Sequence, residues 1–208
     1  MALKSDGTLW KWGYDNNDPF GKGTISPTPV AVAGLTGVVA IAAGGEHGIA
    51  VKNDGTVWAW GYNANGQLGN GSFSNSTAPV AVNGLTGVVA VAGGSAHSMA
   101  LKRDGTVWAW GYNYFGQLGN GNLKGSAVAV AVIGLSGVVA IAAGSEHSIA
   151  VKVDGTIWTW GYNSTGQLGN GTLSDSTTPV PVNGLTGAVA VAGGNAHSMA
   201  LKGDKPQV

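Results

Sequence analysis

The sequence predicts an all-β protein, a β-propeller of four-stranded antiparallel blades. Three observations carry this. A tract spanning residues 54–71 returns almost unchanged at 104–121 and 154–171, a fixed spacing of 50 residues, with a looser copy at 6–23. Each repeat resolves into four short runs rich in β-branched, aromatic and small apolar residues, separated by Gly-centred turn signals. No run carries the apolar period of a helix, and four short strands per 40 to 50 residues, repeated, is how blades are written in sequence.

The second repeat shows each element. Residues 88–92 form a continuous apolar run, short enough for a strand buried on both faces, and Gly93-Gly94 ends it. Residues 97–102 read as a second strand, and Asp104-Gly105 is a hairpin signal that supplies positive φ. Residues 106–112 form a third strand, with Trp108, Trp110 and Tyr112 on one face and Val107, Ala109 and Gly111 on the other. The large face can pack on a neighbouring unit while the small face admits close approach. After the Gly-Gln-Leu-Gly-Asn-Gly loop, residues 128–132 form the fourth strand, and Gly134-Leu135-Ser136-Gly137 leads into the next repeat.

Composition narrows the function. Ten basic and ten acidic side chains in 208 residues leave no charged footprint for nucleic acid or an anionic membrane. With 44% apolar residues and 37 glycines spread through the repeats, the chain is a packed, turn-rich domain and not a disordered tract. Cys is absent, which excludes disulfides and thiolate chemistry. Met1 leads straight into the repeat without a signal-peptide pattern, so the expected location is cytoplasmic by default. The uncharged run 127–144 has membrane-span length, but its alternation and the turn at 134–137 read as two strands.

The motifs Trp60-Gly61-Tyr62-Asn63-Ala64-Asn65-Gly66-Gln67-Leu68-Gly69 and Gly93-Gly94-Ser95-Ala96-His97-Ser98 resemble the paired motifs of the regulator of chromosome condensation repeat family. The resemblance covers nearly the whole chain. It implies a propeller, usually of seven blades in this family, and a protein-binding role through loops, one member class inhibiting β-lactamases by such a surface. The guanine-nucleotide exchange of the family's namesake depends on elaborations beyond the bare repeat, for which these closely spaced copies leave no room.

The organisation expected is one repeat domain over 1–208, with repeats at about 1–48, 49–98, 99–148 and 149–198 and a terminal strand and tail at 199–208. Three blades are whole, at about 38–83, 88–133 and 138–183. The fourth is split. Its last two strands lie at 8–14, from Thr8 to Tyr14, and 28–32, and its first two within 188–202, from Ala188 to Lys202. The tetrapeptide Met1-Ala2-Leu3-Lys4 recurs as Met199-Ala200-Leu201-Lys202, so the two compete for one strand position. Closure within one chain turns each blade about 90°, whereas two chains forming eight blades need about 45°, nearer the about 51° of seven. Alternation of Glu46, Ala96, Glu146 and Ala196 marks a duplicated pair. The expectation is an eight-bladed homodimer closed through residues 1–4, 8–14 and 188–202.

Few residues suggest chemistry. The loop 66–71 lacks the following helix that a phosphate loop needs and reads as a structural turn. His47, His97, His147 and His197 recur once per repeat, too far apart on a ring for common metal ligation, and read as histidines bonded to backbone at a strand start. No nucleophile, base and orienter stand at readable spacing, so neither enzyme activity, a metal nor a cofactor is expected. Departures between copies are more informative. Tyr114-Phe115 replaces Ala64-Asn65 and Ser164-Thr165, with Lys124 in the following loop, and Asp15, Asp18 and Phe20 break the first copy. These six are the candidate partner-binding residues of a non-enzymatic scaffold. The alternatives are an amplified or engineered self-assembling fragment without a dedicated ligand, and a lectin-like binder using the repeated Trp pairs.

Overall fold

Strand and turn alternate as the residue types demand. The computed structural model describes residues 1–15 and 24–203, and among these it contains seventeen strands and no helix. Three four-stranded antiparallel sheets follow one another: β4 (Val38–Ala43), β5 (His47–Lys52), β6 (Val57–Gly61) and β7 (Ser76–Ala81); β8 (Val88–Gly93), β9 (His97–Lys102), β10 (Val107–Gly111) and β11 (Ser126–Ala131); β12 (Val138–Ala143), β13 (His147–Lys152), β14 (Ile157–Gly161) and β15 (Ser176–Pro181). The three-stranded sheet β1 (Ala2–Leu3), β2 (Leu9–Asp15), β3 (Thr24–Ala31) stands at one end of the array. The two-stranded sheet β16 (Ala188–Gly193), β17 (Ser198–Lys202) stands at the other.

Each hairpin between second and third strands is closed by its Asp-Gly pair. Asp104 Oδ1 accepts from Thr106 N at 3.0 Å and from Thr106 Oγ1 at 2.6 Å, and Gly105 takes φ of 79°. The third strand ends one residue earlier than the alternation predicts. Gly111 adopts φ of 101°, and pairing with β11 shifts register between Ala109 and Gly111. Tyr112 therefore leaves the Trp108/Trp110 face and enters the loop beyond.

The core lies between sheets. Trp110 and Ala100 pack into a cluster with Ile49, Leu68 and Val82 of the preceding sheet, and Trp160 and Ala150 do the same against Met99, Leu118 and Val132. Trp60 and Ala50 likewise meet Leu9, Val32 and Leu35 of the first sheet. The two faces of the third strand are thus used as their sizes predict, the indoles toward the preceding blade and the small residues toward the next. Burying an indole is a large apolar gain.

The blade split between the chain's ends takes the predicted form at the N-terminal side. Ala2 pairs with Trp10 and Leu3 with Leu9, the register in which Ala100 pairs with Trp108 and Leu101 with Val107. Ala2 and Leu3 thus hold beside β2 the place that Ala100 and Leu101 hold beside β10.

Replacement of Trp110, fully buried between two blades, by Ala is expected to cost about 3–5 kcal/mol in urea unfolding, whereas Trp108→Ala, half-buried on the same face, costs clearly less. Equal losses would contradict the inter-blade core.

Candidate functional site

The Asn-x-x-Gly-Gln-Leu-Gly tract folds on its own amide side chains. Asn113 Oδ1 accepts from Leu118 N at 2.8 Å, while its Nδ2 donates to the carbonyls of Asn122 and Lys124, each at 2.9 Å. Gln117 Oε1 accepts from Phe115 N at 3.0 Å. Asn113 and Gln117 are buried, so they are scaffold and their loop is a frame. The glycines of this tract serve the turn and the approach of the next blade, and no helix follows.

The same loops join the blades. Gln67 O accepts from the Trp110 indole N–H at 2.8 Å and from the Ser98 hydroxyl at 2.9 Å, both on the next blade. His47 Nε2 lies 2.8 Å from that hydroxyl. Since Ser98 has one proton and gives it to Gln67 O, the imidazole donates from Nε2, which leaves Nδ1 bare. His97 with Ser148 and His147 with Ser198 repeat the arrangement, each at 3.0 Å. The histidines therefore bond not to backbone but to a serine of the neighbouring blade, a link between repeats that reading one repeat at a time does not reveal. A Cβ at Gly94 would come within 2.2 Å of the His97 ring, which accounts for the glycine there.

Burial pushes these imidazoles down, His47 and His147 to about 4, and His97 to about 3 with its two neighbours adding a smaller push. They are neutral at pH 7 and hold blades together. Among the described residues no group of three or more His, Cys, Asp or Glu could hold a metal.

The first and second strands turn, and the third and fourth strands connect, at the same end of each blade, as the bond from Tyr112 N to Ala96 O records. On that face Tyr114 and Phe115 come together. Their rings meet edge-on at 5.1 Å, Tyr112 stacks on Tyr114 at 6.4 Å, and Phe115 reaches Tyr162 of the next blade at 4.7 Å. Tyr114 is 66% exposed. Lys124 is exposed in the adjoining loop, where its carbonyl holds Asn113. The charged group that bears on the cluster is Glu146. Burial first, then Glu146 and Tyr114, raise the Tyr112 hydroxyl above its usual range, and burial and Asp175 raise the Glu146 carboxyl. Tyr112, Tyr162 and Glu146 escape a search for departures between copies because Tyr recurs in every repeat and Glu in alternate ones.

Asp15 closes β2, and Asp18 and Phe20 lie outside the described residues. Burial of Trp60, Trp110 and Trp160 withdraws them from any repeated sugar-stacking platform.

A family model described as the RCC1-like domain matches residues 1–206. The chain belongs to the RCC1-like domain family. Human WBSCR16 is similar in structure, with a TM-score of 0.83 and 30% identity over 96% of this chain and 54% of that one. The yeast RCC1 protein Prp20, solved with Kap60, gives a TM-score of 0.83 and 27% identity over 97% and 51%. Saccharomyces cerevisiae Prp20p, whose binding to Gsp1p and histones is described with its structure, gives 0.84 and 24% over 95% and 52%. The chain spans about half the length of these relatives. No curated protein matches it. No helix is long and apolar enough to cross a membrane among the described residues.

The histidine links give a pH signature. A buried base whose pKa is lowered on folding binds fewer protons than in the unfolded chain, so stability is full above the unfolded value of about 6.5 and falls as pH drops toward 4 and then 3. The urea midpoint is expected to be flat from pH 8 to 7 and to decline from pH 6.5 to 4, and His97→Gln should flatten that decline. A midpoint independent of pH between 6.5 and 4 would contradict neutral, buried histidines.

Proposed function

We propose that this chain is a non-enzymatic scaffold that binds another protein through the loops of one propeller face. The aromatic cluster of Tyr112, Tyr114, Phe115 and Tyr162 carries this reading. Ala64-Asn65 and Ser164-Thr165 stand at the positions of Tyr114-Phe115 in sister loops with the same frame of hydrogen bonds. The blade does not need rings there, and an exposed aromatic group is what a partner's anchor would contact. Glu146 at its edge favours a partner bearing Lys or Arg. Lys124 lies on the same rim, and Asp15, Asp18 and Phe20 form the corresponding variable stretch of the first copy. Protein binding by Prp20 supports the general role.

A second reading concerns assembly. Similarity to larger rings over nearly the whole chain supports blade angles well below the about 90° that four-bladed closure needs. We read the chain as half of an eight-bladed homodimer with two-fold symmetry, with residues 1–4, 8–14 and 188–202 at the joints.

The double variant Tyr114→Ser, Phe115→Thr copies the fourth repeat and is expected to keep the far-ultraviolet spectrum and urea midpoint of the parent. Loss of two anchors of about 2 kcal/mol together would weaken a bound partner by roughly 30-fold. Partner capture that is undiminished by the double change removes this surface from the interaction.

A further inference from the structure

Two successive joints between whole blades use one indole and one carbonyl each. Gln67 O receives the Trp110 N–H, and Gln117 O receives that of Trp160 at 2.9 Å. Gly69 and Gly119 lie so close to those indoles that a Cβ would sit 2.8 Å from the ring nitrogen. Among the described residues, at the next joint Gln167 O receives only Ser198, at 2.8 Å, and Gly169 has Val182 but no ring beside it. A hollow of about 290 Å³ opens there, lined by Ile149, Leu168, Gly169, Val182, Val191 and Met199. The apolar cluster at this joint contains neither the Trp nor the strand-two Ala that complete the other three. Met199 and Leu201 are 58% and 63% exposed, although Met99 and Leu101 are buried.

An indole in the equivalent repeat position stands at the other end of the chain. Trp12 holds the repeat position of Trp60, Trp110 and Trp160, yet it is 49% exposed. Gly13 after it adopts φ of 100°, like Gly111 and Gly161 at 101°. Beside those two glycines lies a backbone carbonyl of their own blade's first turn, to which a Cβ would come within 2.6 Å, and among the described residues Gly13 has nothing within 4 Å.

We propose that Trp12 of a second copy of this chain fills the hollow beside Gln167, its indole N–H donating to Gln167 O, with β2 of one copy pairing with β17 of the other. The inference rests on the two-chain reading above and supplies its joint. The occupant is a second copy because the exposed indole and the hollow it matches are both surfaces of this chain, on the sheets at opposite ends of the array. Each copy then offers one knob and one socket, so two-fold symmetry makes two identical joints. β1 occupies part of the β2 edge that β17 needs, with the same Met-Ala-Leu-Lys sequence in the same register. Closure therefore exchanges the two-residue β1 for the five-residue β17.

The test is cross-linking in a chain that has no cysteine. Lys11 and Met199 would face each other as Ala109 faces Met99, a close pair of the kind a disulfide can bridge. Mixing Lys11→Cys chains with Met199→Cys chains under oxidation is expected to give a covalent two-chain product, and the double variant a particle of twice 20.7 kDa. An internal disulfide within one chain, or a ladder of higher multiples, overturns the proposal. Trp12→Ala, at a side chain half-exposed in the single chain, is expected to keep the spectrum and weaken association at least about a hundredfold. Deletion of residues 2–4 should strengthen association by removing the competitor, and weaker or unchanged association would overturn the exchange. A Trp12→Ala particle that stays at two chains overturns the socket and leaves the two-chain ring standing. A parent chain that remains at 20.7 kDa overturns the ring itself.

Discussion

The hydrogen bond from an indole N–H to the backbone carbonyl of a glutamine on the preceding blade is the constraint on which the rest of the structure depends. It joins two elements that are weak alone, since a single blade cannot bury the faces of its own sheet. Around it the apolar cluster forms, and its direction from each blade to the one before sets how the array grows. The same Gln carbonyl also takes a serine hydroxyl, which in turn accepts from a histidine, so residues of three different strands are tied to one acceptor directly or through one hydroxyl. Each of these residues is buried, so losing one partner strands the others in a low-dielectric site.

Two consequences follow for chemistry. The histidines, which by type could ligate metals or move protons, are held neutral and committed to structure. The glycine-rich loops, which by composition could cradle phosphate, are filled by their own Asn and Gln side chains. What remains for recognition is the surface those frames display, and there the third repeat differs from its neighbours by a group of rings.

Much of the fold was legible because repetition states the same sentence several times. Strands, turns and the incomplete sheets at the two ends of the array follow from aligned patterns. The third strand's end was missed by one residue because Gly111 bends the chain where alternation predicts continuity. The role of His47 was out of reach, since its partner Ser98 belongs to the next copy and pairing across a joint leaves no periodic trace within one. The candidate site was half legible. Tyr114 and Phe115 stand out as departures, whereas Tyr162 and Glu146 matter only through proximity that folding creates.

The chain's eight indoles sit in graded environments, and one of them decides whether the joint common to the blades also closes the ring. Hydrogen exchange at the assigned indole N–H groups, followed by NMR on the parent protein, reads this directly. Protection of Trp12 comparable to that of Trp110 and Trp160 is the expected result. Exchange of Trp12 at the rate of an exposed indole, while Trp110 and Trp160 stay protected, would contradict it.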